Sequence, residues 1–297
     1  MSSNPLRSLS PRSVLPAAAV LLVLGAGAAA HANRPEPFGD RVVPGAADAS
    51  PVSAQSPSPS EIDFRTGPGV EAYAKATGER LWSYRREGAT ALHLELVGDD
   101  AAVVWDDGMV TAVNTADHSV RWHRSVPGLA DWLRADGEPG AEARTEEQRK
   151  QLTAQRAAEA LHPSADRVND AFVTVVTPGL LMGFRERDGD LRFNSRPPTG
   201  CAFSPQRTAE TDDAVLVPRL CPPGSGGGVM VFSLTDHGNF LNTGPDVVMR
   251  PLDGHRVSVE DGPVIGSWVY DTALGSREAV CGTGGTPFAA ARQACDK

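Results

Sequence analysis

The sequence predicts an all-β chain folded as a β-propeller of about five irregular four-stranded units, with one helix inserted at the surface. Three observations predict it. The segment Thr77-Gly78-Glu79-Arg80-Leu81-Trp82 returns forty residues later as Asp117-His118-Ser119-Val120-Arg121-Trp122, without a gap. It returns again as Asp188-Gly189-Asp190-Leu191-Arg192-Phe193, and more loosely as Asp236-His237-Gly238-Asn239-Phe240. Between the copies lie short apolar or alternating runs broken by Gly, Asp and Asn, the pattern of strands and tight turns. Finally, Phe64 to Lys297 without the helical insertion leaves about 210 residues, roughly five blades at about 40–45 residues each.

The chain opens on an export signal over residues 1–32. Arg7 and Arg12 form its charged start, Leu15 to Ala30 is apolar, and Ala30-His31-Ala32 is a small-x-small cleavage site. The apolar run is shorter than the ~20 residues that span a bilayer. Val20-Leu21-Leu22-Val23-Leu24 is nonetheless hydrophobic enough for an uncleaved signal-anchor helix, so both outcomes stay open. No Cys follows the run, which argues against a lipid anchor. Residues 33–62, with six Pro among Ala, Ser and Asp, offer too little apolar surface to offset chain entropy and are expected to form a disordered linker. The propeller domain is then 63–297.

The first unit has Val70 to Ala74, a turn at Thr77-Gly78-Glu79, and Leu81 to Tyr84. It lacks two inner strands, which the C-terminal strands are expected to supply, since a ring completed from both chain ends leaves no open edge. The second unit is complete. Leu92 to Val97 and Ala101 to Trp105 are followed by the hairpin turn Asp106-Asp107-Gly108, then by Met109 to Asn114 and Val120 to His123. A helical insertion follows at 138–163. Thr145 and Gln148 make a capping box, Glu146 and Lys150 pair at i,i+4, and Pro163 ends the run. With Leu152 and Leu161 as its only large apolar residues, it reads as a solvated excursion. The third unit holds Phe172 to Val176 and Leu180 to Phe184. The fourth holds Cys201 to Ser204, Ala214 to Leu220, Val229 to Leu234 and Phe240 to Asn242. Val257 to Glu260, Val264 to Tyr270 and Glu278 to Cys281 supply a fifth unit or the strands missing from the first.

Net charge is −9, and −11 without the leader's two arginines; an acidic surface repels phosphate, so nucleic acid is not an expected partner. Cys201, Cys221, Cys281 and Cys295, an even number in an exported chain, read as disulfides. Three connectivities exist, and proximity favours Cys201–Cys221 with Cys281–Cys295. No pair has CxxC spacing and no His lies within four residues of a Cys, so no metal site is expected. The carboxylate pairs Asp106-Asp107 and Asp212-Asp213 sit in turn contexts. His118 and His123 read as a surface pair. Gly224-Ser225-Gly226 lacks the setting of a hydrolase nucleophile, and Gly282-Thr283-Gly284-Gly285-Thr286 lacks the Lys of a phosphate loop.

Ala72 to Trp82, with Gly78 four residues before Trp82, and Trp105-Asp106-Asp107-Gly108-Met109-Val110-Thr111-Ala112-Val113 leading to Trp122, resemble the PQQ-like β-propeller repeat family. The chain looks most similar to its short exported members from high-GC Gram-positive bacteria. The resemblance implies that the aromatics dock one blade on the next and the glycines close the turns. Trp82, Trp122, Phe193, Gly78, Gly108 and Gly189 are therefore structural docking residues. It does not bring a cofactor, because quinoprotein dehydrogenases stack their quinone on adjacent cysteines, hold Ca²⁺ beside a catalytic Asp, and are about twice as long. No catalytic residue, cofactor or metal is expected. The function expected is a non-enzymatic extracytoplasmic binding or scaffold module for an envelope protein or polymer, secreted or held at the membrane by the N-terminal segment. The alternatives are a quinone-dependent oxidoreductase and a degenerate propeller without activity of its own.

Overall fold

The structure, a computed structural model, describes residues 37–45, 58–135, 144–164, 171–233, 237–261 and 266–279. The chain divides into an N-terminal piece ending at Arg41 and one body that begins at Val42. Of the first piece the described part is a 3-10 turn, Pro37–Gly39, and the start of strand β1 (Asp40–Pro44).

Five antiparallel sheets follow one another along the body. The first contains β2 (Ile62–Thr66), β3 (Val70–Ala74) and β4 (Arg80–Arg86), with β1 beside β4. The second is β5 (Ala91–Val97), β6 (Asp100–Trp105), β7 (Met109–Asn114) and β8 (Val120–Ser125). Helices α1 (Leu129–Arg134) and α2 (Glu146–Ala160) lead to the third, β9 (Leu161–Ser164), β10 (Phe172–Thr177), β11 (Leu180–Arg185) and β12 (Leu191–Ser195). In the fourth, β13 (Ala202–Phe203) and β14 (Ala209–Glu210) both pair with β15 (Ala214–Leu220), so one inner strand is broken by a 3-10 turn at Pro205–Arg207. That sheet continues through β16 (Gly228–Ser233) and β17 (His237–Asn242). The fifth is β18 (Val248–Pro251), β19 (Arg256–Asp261), β20 (Gly266–Asp271) and β21 (Ser276–Ala279).

The inner strands stand side by side: β2 touches β5, β5 touches β9, β9 touches β14, and β14 touches β18. Four-stranded meanders arranged with their first strands together are the blades of an all-β propeller. The physical cause is visible in the second strands. All six residues of β6 and of β10 are buried, because each sheet is covered on both faces. Period-2 alternation then divides one strand between two seams. Val103 and Trp105 pack with Trp82 and Tyr84 toward the first sheet, while Ala102 and Val104 pack with Val173 and Val175 toward the third.

Three expectations need correction. The first sheet is completed from the N-terminal side, by residues 62–66 and 40–44, and not by C-terminal strands, which form the fifth sheet. Both stretches lie in or at the border of the segment read as linker. Ile62, buried, and Phe64 alternate with Asp63 and Arg65 as in any half-buried strand, but the surrounding Pro and Ser hid them. The inserted helix, Glu146–Ala160, is not a solvated excursion. Its cap is as expected, with Thr145 Oγ1 accepting from Gln148 N at 3.2 Å, yet Ala157 and Ala160 are fully buried against Leu129 and Leu133. Small residues let α2 approach α1 closely, which a search for large apolar side chains overlooks. Arg156 donates from Nη1 to Trp132 O at 2.8 Å and to Ala135 O, a cation on the carbonyl end of α1. Pro163 does not end the helix; it lies inside β9.

Candidate functional site

The third and fourth strands of the first four sheets share one irregularity. The register shifts between Ala72 and Tyr73, Ala112 and Val113, Gly183 and Phe184, and Val231 and Phe232. Across from the first residue of each pair stand Trp82, Trp122, Phe193 and Asn239. The repeat is therefore a β-bulge that aims one side chain at the next sheet. Trp82 is fully buried, and its ring lies 5.2 Å from that of His118 in the next sheet. Trp122 donates from Nε1 to Glu186 O at 2.5 Å and covers Gly189, whose added Cβ would come within 2.6 Å of the indole. Phe193 stacks on Phe232 at 5.2 Å. His118 has φ 61, matching Gly78 at 70 and Gly189 at 67, so a histidine holds the left-handed position glycine holds in the sister turns. Gly108, φ 80, leaves room for Ala130 N, which a Cβ would approach to 2.7 Å. In the fourth copy the docking position falls on Asn239, and Phe240, 42% exposed, lies under the Arg219 guanidinium at 4.4 Å.

The remaining expected residues have structural partners. Cys201 and Cys221 flank the paired residues Ala202 and Leu220, with sulfurs 2.03 Å apart. Cys281 and Cys295 lie outside the described residues, as do residues 1–32 and the 282–286 glycine run. Asp107 receives Arg86 at 3.2 and 2.9 Å, joining the first sheet to the second. Burial pushes the Asp107 carboxyl up, but Arg86 and the Met109 N–H hold it below the usual carboxylate range. Asp106 accepts from Thr90 N, and Asp213 from the hydroxyls of Thr211 and Thr272. Among the described residues no group of three or more His, Cys, Asp or Glu converges to hold a metal, and no helix is long and apolar enough to cross a membrane.

A concavity that no local motif announced opens on the axis, at the end where the inner strands turn into the second strands. Its walls come from four successive sheets: 96–98 at the end of β5, 163–164 in β9, 210–212 at the end of β14, and 251–254 at the end of β18. Its volume is about 430 Å³. Ser164 donates to Thr211 O at 2.7 Å and to Asp212 O at 3.1 Å, and Asp212 N to Gly254 O at 2.8 Å, so the rim is held by bonds across sheets. Glu210 lies 2.5 Å from Nδ1 of buried His162, whose Nε2 donates to Glu159 O at 2.8 Å. Asp253 accepts from Arg256 Nε and from the backbone of His255 and Arg256; these bonds hold its carboxyl below the usual range. The lining thus carries three carboxylates, Glu210, Asp212 and Asp253, and no Lys or Arg, beside the exposed side chains of Leu96 (36%) and Leu252 (54%). At the other end of the strands a second hollow of about 360 Å³ lies between Pro127, Trp132, Pro178 and Arg196.

No protein-family profile matches the chain, and no curated protein sequence matches it. Among solved structures it is similar to BamB from Moraxella catarrhalis, at 12% identity and a TM-score of 0.41, covering 73% of this chain and 56% of that one. It is similar to dihydro-heme d1 dehydrogenase NirN in complex with DHE, at 12% identity and 0.46, covering 84% and 52%. It is also similar to the WD40 domain of Toxoplasma gondii coronin, at 11% identity and 0.40, covering 74% and 55%. The chain spans little more than half the length of each.

Proposed function

We propose that this chain is a non-enzymatic, extracytoplasmic binding module built from PQQ-like repeats. In this reading an envelope protein or polymer seats at the axial mouth. The observation that carries it is the composition of that mouth. Four sheets supply a preformed concavity with three carboxylates, no basic lining residue, and two leucines left in solvent. Such a surface complements a cationic segment with apolar neighbours. The repeated bulge and its aromatic support the repeat assignment, and the N-terminal segment supports export or anchoring.

The experiment combines three measurements on protein exported by its own leader. A photo-crosslinking amino acid at Leu252 should trap a discrete envelope component, and Leu96→Asp with Leu252→Asp should lose it while the thermal melt is kept. Equal trapping by the double variant would remove the mouth from the proposal. Saturable binding of PQQ with dye reduction would replace the module by an oxidoreductase. Intact mass beginning at Asn33 would show secretion, and a full-length mass would show anchoring.

A further inference from the structure

The chain holds two pairs of adjacent turn aspartates, and the structure sets one of the four apart. Asp106 accepts from Thr90 N at 2.9 Å, and Asp107 pairs with Arg86. Asp213 accepts from the Thr211 and Thr272 hydroxyls and faces His255 Nδ1 at 3.4 Å. Asp212 is the one that lines the axial mouth. Its backbone is fixed: the N–H donates to Gly254 O at 2.8 Å, and the C=O accepts from Ser164 Oγ at 3.1 Å. Its half-buried carboxylate, by contrast, meets no donor or cation among the described residues. A Cβ on Gly254, another lining residue, would stand 2.4 Å from Asp212 Oδ2, so the carboxylate lies directly against that glycine.

The other two lining carboxylates are already engaged. Glu159 O can only accept, so Nε2 of His162 carries a hydrogen. The 2.5 Å contact between Nδ1 and Glu210 Oε1 holds a second proton, and the pair is neutral as a whole whichever atom carries it. Asp253 is paired with Arg256, whose Nε stands 2.7 Å away. Neither His162 nor Arg256 lines the mouth; both compensate their partners from behind it. We infer that the mouth takes the primary ammonium of one lysine side chain of its protein partner, with Asp212 as the residue that determines this specificity. The inference rests on the binding reading above. Attraction at the mouth then comes from one carboxylate, and a second positive charge on the partner finds no counterpart. The exposed Leu96 and Leu252, also in the lining, suit the alkyl stem and apolar neighbours of such a group. An ammonium is a compact point charge that one oxygen can satisfy, whereas a guanidinium fork needs both oxygens in one plane. With Oδ2 set against Gly254, the ammonium fits better.

The test uses the full chain with labelled leucine methyls, following Leu96 and Leu252 by NMR as the capped tripeptide Leu-Lys-Leu is added. Both signals should move and saturate. Asp212→Asn should weaken binding about tenfold or more, the loss of one charged hydrogen bond, whereas Glu210→Gln and Asp253→Asn should each change it less than about threefold. Gly254→Ala keeps every charge, sits at a backbone position without positive φ, and turns the carboxylate aside; it should weaken binding as Asp212→Asn does and carries the test if that variant does not fold. Acetylating the lysine should abolish the shifts, and arginine in its place should bind more weakly. Equal losses in all three carboxylate variants would mean a diffuse acidic field, and no movement with the lysine peptide would mean no ammonium site; either overturns the inference. Equal binding of the arginine peptide overturns the choice of ammonium. The cross-link at Leu252 keeps the two readings apart. Undiminished trapping in Asp212→Asn overturns the role of Asp212 alone, while absent trapping beside intact peptide binding removes the envelope partner and leaves the ammonium site standing.

Discussion

The first three seams of this propeller and the fourth solve the same packing problem with different chemistry. Between the first and second sheets, and again between the next two pairs, one buried aromatic leaves a bulge and lies on the following sheet. Between the fourth and fifth sheets that position is Asn239, and the bonds are polar. Thr211 and Thr272, one from each sheet, both donate to Asp213, Arg207 donates to Pro245 O at 2.8 Å and to Val247 O, and Gly244 N donates to Asp261 at 2.6 Å. An apolar core remains there, with Leu216, Val229, Val257, Val259 and Trp268. What is lost is the repeated anchor. The contrast teaches that a propeller seam needs burial but not a fixed device, since each seam is a local contact between neighbours.

The largest predicted effect tests the anchor itself. Trp122→Ala should cost about 3–5 kcal/mol in urea unfolding, because it removes a buried indole and leaves Glu186 O without its donor. Phe240→Ala, at an exposed position outside the docking register, should cost less than about 1 kcal/mol. Equal losses would mean that the bulge register does not define the anchor. Next in size is the cross-link in the sheet that lacks the aromatic. Cys201→Ser with Cys221→Ser opens a link spanning 20 residues and should cost about 3 kcal/mol. A loss near zero would show that this sheet is held by its packing alone.

A smaller effect sharpens the polar side of the contrast. Asp213→Ala removes the acceptor shared by Thr211 and Thr272, whose hydroxyls keep Ala214 O and His255 O within reach, and should cost about 1–2 kcal/mol, measured as above. The smallest is the pH term at the aromatic seam. Glu186 is raised from 4.5 to about 7 in the folded chain, so its proton contributes stability below pH 4.5 that is lost as pH rises through 7. A shift of that size corresponds to about 3 kcal/mol for a fully buried group; half-buried Glu186 should yield about 1 kcal/mol after screening. The difference in stability between pH 5 and pH 8 should shrink by that amount in Glu186→Gln, and an unchanged difference would separate the carboxyl from the stability of the seam.

Much of the scaffold was legible because its signals are local. The Trp82-to-Trp122 interval, the Asp-Gly turns and the capping box at Thr145 each act within a few residues of chain, where turn geometry and capping operate. The strands at 40–44 and 62–66 were harder to read. They bury their apolar side only against partners elsewhere in the chain, and the alternation of Ile62 and Phe64 is too short to stand out beside the Pro and Ser around it. The short helix α1 was missed for the same reason: Leu129 and Leu133 are a helical pair only because Ala157 and Ala160 lie on them.

The sequence by itself determined a repeating all-β architecture and its turn positions, since period, alternation and turn chemistry are properties of neighbouring residues. The tertiary structure alone decided the axial mouth. The mouth gathers turns that lie between residue 96 and residue 254. Ring geometry sets such meetings, and residues that distant in sequence share no pattern from which a spacing could be read.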